Sequence, residues 1–197
     1  MIFVVSAASG TGKTTILKIL AQAYKIPRFT TCTTRPARRG EKNRRDYYFH
    51  TKTEFQNLIK SNELAEWASV YGFHYGTPRA KLETSLKKHQ PIVLALDTQG
   101  ASQIKAQYPK QTVLVALLPP SRKELEKRIC NRQKETGEND LDVKKRLSEA
   151  KKELKILAGY DYQIVNETPE KTADLLHQII QKHSYLKSEG KNFGRLL

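Results

Sequence analysis

Acidic residues are scarce in this chain: 20 Asp and Glu stand against 35 Lys and Arg, a formal net charge of +15 over 197 residues. Such a surplus excludes cationic ligands as the main partners and points to anions, whether nucleotides, nucleic acid or an anionic surface. No recognisable nucleic-acid module accompanies the charge, so nucleic acid is not expected as a partner. Cysteine is nearly absent as well. Cys32 and Cys130 are the only two, far apart, which excludes a disulfide framework and a zinc-ligand spacing and suits a reducing compartment. Nowhere do about 20 apolar residues follow one another, so no membrane span is expected. The apolar start, Met1 to Val5, runs into Ser6 without a basic leader, and a cytoplasmic location is the expectation. No internal repeat or low-complexity tract interrupts the chain.

What is present is a chain with 38% hydrophobic residues, enough for one domain with a sizeable core. Ile2-Phe3-Val4-Val5 is a short, all-apolar, β-branched run, the pattern of a strand buried on both faces of a parallel sheet. Runs at Ile92–Leu96, Thr112–Leu118 and Gln163–Val165 have the same character. Between them, helical spacing is visible from Thr14 to Tyr24 (Ile16, Leu17, Ile19, Leu20, Ala23) and along Leu147, Ala150, Leu154 and Leu157. Further helix starts follow Pro119-Pro120 and Thr168-Pro169. The alternation predicts an α/β fold with a central parallel sheet flanked by helices. Residues 31–90 break it, with a basic loop, the aromatic cluster Tyr47-Tyr48-Phe49 and a Tyr/Gly segment at 71–76, and are expected to form an inserted subdomain. A stretch dense in both charges, 122–149, including the polar run Glu135 to Asp140, is expected to be a mobile lid. The core is then 1–30, 91–121 and 150–190, with a loosely ordered tail at 191–197.

The first strand and first helix enclose Ala7-Ala8-Ser9-Gly10-Thr11-Gly12-Lys13-Thr14. Its second half, Gly12-Lys13-Thr14, fits the phosphate-loop (Walker A) pattern, with Ala7 where the first glycine usually stands. Gly10 and Gly12 let the backbone curl with its N–H groups inward, and the following helix turns its positive end to the same charge. Residues 8–15 (Ala8, Ser9, Gly10, Thr11, Gly12, Lys13, Thr14, Thr15) are therefore the expected ATP-binding loop, Lys13 bridging phosphates and Thr14 offering its hydroxyl to Mg²⁺.

A longer run narrows the class: Thr31-Cys32-Thr33-Thr34-Arg35-Pro36-Ala37-Arg38-Arg39-Gly40-Glu41, followed by Asp46-Tyr47-Tyr48-Phe49. It closely resembles the guanylate kinase family, whose hallmark is Thr-Arg-x-x-Arg-x-Gly-Glu leading to Asp-Tyr-x-Phe. The likeness continues in order through Glu66-Trp67-Ala68, Tyr75-Gly76-Thr77, Asp97-x-Gln99-Gly100, Pro119-Pro120-Ser121, Arg128-x-x-x-Arg132, Lys145-Arg146-Leu147 and Val165-Asn166.

The resemblance implies a P-loop kinase that passes the γ-phosphoryl group of ATP, with Mg²⁺, to GMP and also to dGMP. It implies that Thr31, Glu66, Thr77 and Asp97 contact guanine, that Arg35, Arg38, Tyr47 and Tyr75 hold the GMP phosphate, and that Glu41 and Gly100 also belong to the GMP site. Two guanidinium groups in one loop can hold a dianionic phosphate through charge-assisted bonds. A carboxylate such as Glu66 can accept from the N1–H and exocyclic amine of guanine, which adenine does not offer in that arrangement. On the donor side the resemblance assigns Arg128, Arg132 and Arg146 to the lid over ATP, with Lys13 and Arg38, as the catalytic charges, and Asn166 to the adenine.

One position departs from the family pattern. An Asp-x-Asp pair is usual at the end of the third apolar strand; here it reads Ala95-Leu96-Asp97, so metal handling rests on Thr14 and the phosphates. Rival readings are a related P-loop kinase with another phosphorylated acceptor, and a kinase-like module that only binds phosphorylated peptides. The guanine set argues against the first, and Lys13, Thr14, Arg132 and Arg146 argue against the second. The sequence leaves the oligomeric state open.

Overall fold

The computed structural model describes residues 1–136 and 140–188. Two sheets organise it. The first is parallel, ordered β6-β1-β7-β8, from β1 (Ile2–Ala7), β6 (Ile92–Ala95), β7 (Thr112–Leu118) and β8 (Tyr162–Val165). All four expected strands are present. β1 is central, and its residues alternate between two cores as strand geometry requires. Phe3 and Val5 face Ile16, Leu17 and Leu20 of α1 (Lys13–Tyr24) and Leu176 and Ile180 of α7 (Pro169–Ser188). Ile2 and Val4 face Ala101 and Ile104 of α4 (Thr98–Gln107), with Leu82 of α3 (Arg79–Lys87).

The second sheet, ordered β3-β2-β5-β4, consists of β2 (Thr31–Thr33), β3 (Tyr47–Phe49), β4 (Leu64–Val70) and β5 (Phe73–Pro78). β4 and β5 form a hairpin whose turn residues, Tyr71 (φ 50°) and Gly72 (φ 79°), both lie in the left-handed region, the requirement of a tight primed turn. A small core of Cys32, Phe55 and Leu64 lies under this sheet, closed by α2 (Lys52–Lys60), whose start carries a reciprocal capping box between Thr51 and Glu54. The aromatic cluster thus lies in a second sheet, and the basic loop joins β2 to β3.

α5 (Arg122–Thr136) and α6 (Asp140–Leu157) form a helical pair over the phosphate loop: Leu125, Ile129, Val143 and Ala150 pack on Ala8. The expected lid boundary at 149/150 falls inside the continuous helix α6. Of the polar run 135–140, residues 137–139 lie outside the described residues, as does the expected tail. Among the described residues no helix is long and apolar enough to cross a membrane.

Candidate active site

The loop from Ala8 to Lys13 leaves the C-terminal end of β1, between β6 and β7, the edge of a parallel sheet where ligands bind. Gly10 (φ 86°) and Gly12 (φ 97°) take conformations that a side chain would strain, and Gly12 caps α1 with no side-chain hydrogen bond. The first turn therefore keeps N–H groups for an anion. Asn166, 2% exposed, braces the loop from beneath: its amide donates to the Thr11 carbonyl (2.6 Å) and accepts from the Thr172 hydroxyl (3.0 Å). The Nδ2 of Asn166 would stand 2.9 Å from a Cβ at Gly12. Lys13 donates to the Leu96 carbonyl at 3.0 Å. Burial lowers its pKa to about 8, opposed by the carboxylates of Asp97 and Glu153 and assisted by Arg28.

Leu96 is followed by Asp97, which opens the second half of the site. Asp97 caps α4, accepting from the Gly100 N–H at 2.7 Å. Against Gly100 lies Glu66: a Cβ at position 100 would come 2.5 Å from Glu66 Oε2. Glu66 is 3% exposed and accepts from the Thr77 hydroxyl at 2.6 Å, its cross-strand neighbour in the β4–β5 hairpin. Burial raises the Glu66 carboxyl to about 7, Thr77 opposing and Asp97 reinforcing the shift. Thr31 is buried at the start of β2, the strand that pairs with β5.

Beside this pocket is a cationic grip. Arg35, 8% exposed, is held by a two-oxygen pair with Glu41 (2.9 Å to each oxygen) and donates to the Pro36 carbonyl at 2.6 Å. Glu41 Oε2 also accepts from the Arg38 N–H at 2.7 Å. Glu41, placed in the GMP site by the resemblance, thus orients Arg35 and folds the 35–41 loop. The Arg35 guanidinium lies 5.6 Å from the centre of the Tyr47 ring, and the Tyr47 and Tyr75 rings meet edge-on at 6.1 Å. Arg38 is exposed on the loop above. A buried guanidinium and two phenols on the sheet that carries the buried carboxylate, with Arg38 exposed on the adjoining loop, suit a small molecule with a phosphate at one end and a hydrogen-bonding base at the other.

The guanylate kinase family profile matches residues 1–183. The chain belongs to the guanylate kinase family. It is 38% identical to the guanylate kinase of Clostridium tetani (strain Massachusetts / E88) over 180 residues, covering 91% of this chain and 85% of that protein. It is 37% identical over 200 residues to that of Oceanobacillus iheyensis (strain DSM 14371 / CIP 107618 / JCM 11309 / KCTC 3954 / HTE831), covering 100% and 95%. The crystal structure of guanylate kinase from Anaplasma phagocytophilum superposes with a TM-score of 0.77 at 34% identity, covering 93% of this chain and 86% of that one. As a member of the guanylate kinase family the chain is a nucleoside monophosphate kinase, an ATP:GMP phosphotransferase.

On the donor side of this guanylate kinase fold, one lid arginine lies among the described side chains. Arg128 stands over the loop, its Cβ 3.7 Å from the Cβ position of Gly10, with its guanidinium turned back to Glu124 at 3.0 Å. Arg132 and Arg146 lie on α5 and α6, and their side chains fall outside the described residues. Thr14 and Thr15 are exposed at the loop rim.

Two residues near the site went unnoticed in the sequence. Glu153 on α6 faces the phosphate loop, and its carboxyl is raised by burial and held down by Lys13 and by the Ser9 backbone. Its Oε2 is buried without a partner. A signal existed: position 153 shares the apolar face of Ala150, Leu154 and Leu157, where an acid is out of pattern. Arg28, discussed below, carried none.

Proposed function

We propose that donor and acceptor meet at Leu96-Asp97, and that phosphoryl transfer from ATP to GMP is direct and in line across that junction. The observation that carries the reading is the linkage itself. Lys13 is anchored on the Leu96 carbonyl, while the next residue, Asp97, lies with Gly100 against Glu66. The phosphate loop and the base pocket are therefore fixed to two consecutive residues of one strand end.

In this reading Glu66 accepts from N1–H and the exocyclic amine of guanine, with Thr77 holding its second oxygen, and Thr31 and Asp97 complete the recognition. Arg35, pre-set by Glu41, holds the GMP phosphate with Tyr47 and Tyr75. Arg38 is exposed and free to turn onto the transferring group. Because the acceptor phosphate is itself an anion, no strong base is required. Rate comes from alignment and charge neutralisation by Lys13, Arg38, Arg128, Arg132 and Arg146. dGMP is proposed as a second acceptor on the family resemblance. Asn166 lies under the loop, and its support of the backbone at Thr11 is the contribution its hydrogen bonds favour; contact with adenine is the weaker reading.

Among the described residues no cluster of three or more His, Cys, Asp or Glu could hold a metal ion, and Ala95 stands where the family commonly has an acid. This fits a Mg²⁺ that arrives on the phosphates of ATP and takes one protein oxygen, the exposed Thr14 hydroxyl, supplying charge neutralisation when bound. A cytoplasmic enzyme of purine nucleotide supply follows from these substrates. The deciding experiment is a coupled ADP-release assay with ATP and Mg²⁺, comparing GMP with AMP, CMP and UMP, with Lys13→Ala as the blank. Turnover confined to GMP and lost in the variant is expected; equal turnover on AMP would overturn the base assignment.

A further inference from the structure

Arg28 sits where the parallel core passes into the inserted sheet. Its backbone bridges Val93 of β6, and the next N–H, of Phe29, donates to the Val93 carbonyl at 2.8 Å. The residue therefore belongs by main chain to the edge of the core. Its side chain reaches the other way. The guanidinium donates to the Asp46 carbonyl, and its central carbon stands 4.3 Å from the centre of the Tyr47 ring. Tyr47 is the ring that Arg35 approaches and Tyr75 meets edge-on. Arg28 is half-buried, and its charge is felt on both sides of the cleft, by Lys13 in the donor loop and by Asp46 in the acceptor unit.

We infer that Arg28 is a positioning residue for the acceptor phosphate, strapping Tyr47 to the core so that the acceptor grip is held in register with the donor loop. The chemistry suits arginine specifically. A guanidinium can lie flat on a phenol ring and still donate in its own plane to a carbonyl, whereas an ammonium must choose between the two. Fixing the ring fixes the direction of its hydroxyl, and a misplaced phosphate ligand weakens acceptor binding without touching the donor site. The inference deepens the proposed function and rests on Tyr47 being part of the phosphate grip.

The test is a set of full-length variants, Arg28→Met, Arg28→Lys and Tyr47→Ala with the double variant, assayed with each substrate varied and with GMP binding measured by calorimetry. Arg28→Met keeps the stem and loses the stacked, donating head. It is expected to raise KM for GMP about tenfold and to leave KM for ATP within about twofold. Arg28→Lys should recover part of the loss. In the Tyr47→Ala background, Arg28→Met should add little, because it acts through that ring. Equal rises in both KM values, an undiminished Arg28→Met effect without Tyr47, or an unchanged KM for GMP in folded Arg28→Met protein would overturn the proposal. A Tyr47→Ala variant that binds GMP as wild type does would instead defeat the phosphate-grip reading beneath it.

Discussion

Glu66→Gln is the sharpest perturbation available. Burial lifts the Glu66 carboxyl from 4.5 to about 7, so the empty protein favours its neutral form while the unfolded chain ionises it near pH 4.5. The folding stability this group contributes is therefore fully present below about pH 4.5, declines as pH rises, and is lost once pH has passed about 7. At roughly 1.4 kcal/mol per pH unit between the two pKa values, the loss amounts to about 3 kcal/mol. Gln keeps the shape and the bond from Thr77 but does not titrate, so the difference in melting temperature between wild type and variant isolates the group. Part of the loss has already occurred at pH 5, so from pH 5 to pH 8.5 that difference should move against wild type by the remaining ~2.5 kcal/mol, about 5 to 10 °C for a domain of this size. GMP reverses the sign, because guanine donors need the carboxylate. The ratio of wild-type to variant KM for GMP should rise about tenfold per pH unit below 7, the ionisation of the acceptor phosphate being common to both proteins. At pH 8 the variant should lose about a hundredfold in kcat/KM for GMP. Parallel pH–stability curves for the two proteins would refute a carboxyl driven by burial.

Other perturbations probe the loop, the pocket wall and the metal. Gly100→Ala places a methyl 2.5 Å from Glu66 Oε2 and 3.3 Å from Asp97 Oδ1. It should cost about 1 to 3 kcal/mol in a urea melt and raise KM for GMP but not for ATP. Glu153→Gln removes a buried charge from beside a loop that must receive a polyanion, and is expected to lower KM for ATP about fivefold. A rise in that KM would show the carboxylate to be needed for holding Lys13. Ala95→Asp restores the acid usual in the family; a magnesium titration should half-saturate at about tenfold lower concentration than wild type, and superimposable curves would remove the metal argument built on Ala95.

How much of this was legible in the sequence depends on what made each element fold. β1, the loop and α1 were readable because buried parallel strands are continuous apolar runs and Gly10 and Gly12 admit few alternatives. The inserted sheet was visible only as an interruption. β2 and β3 are three residues each, too short for period-two alternation to register, and they exist because β5 and the Phe55 core hold them. α4 was missed for a related reason: it buries only Gly100, Ala101 and Ile104, so its apolar stripe is a fragment, and its cap, Asp97, drew attention as a ligand instead. The Thr51-x-x-Glu54 capping box was a legible helix start that went unused. The residues proposed for guanine and for phosphate were legible as two groups by resemblance, but which of them hold one another in place was not. That Glu41 serves Arg35 follows from a loop that closes on itself, and Arg28 is defined by contacts across 18 residues to Asp46, which no local pattern encodes.

The two key ionisable groups are disturbed by one cause in opposite directions. Burial pushes Lys13 down to about 8 and Glu66 up to about 7, each toward its neutral form, and Asp97 lies within electrostatic reach of both. Asp97 favours the charged Lys13 and the neutral Glu66, so a single carboxylate at the strand end biases donor and acceptor sites together. In the proposed ternary complex the substrates would undo both penalties: triphosphate would restore a counter-charge to Lys13, and guanine would supply the N–H donors that Glu66 has lost to burial. A site whose charges are costly while it is empty and satisfied when it is filled reserves its electrostatic stabilisation for the ternary complex, which is where a kinase that must avoid hydrolysing ATP needs it.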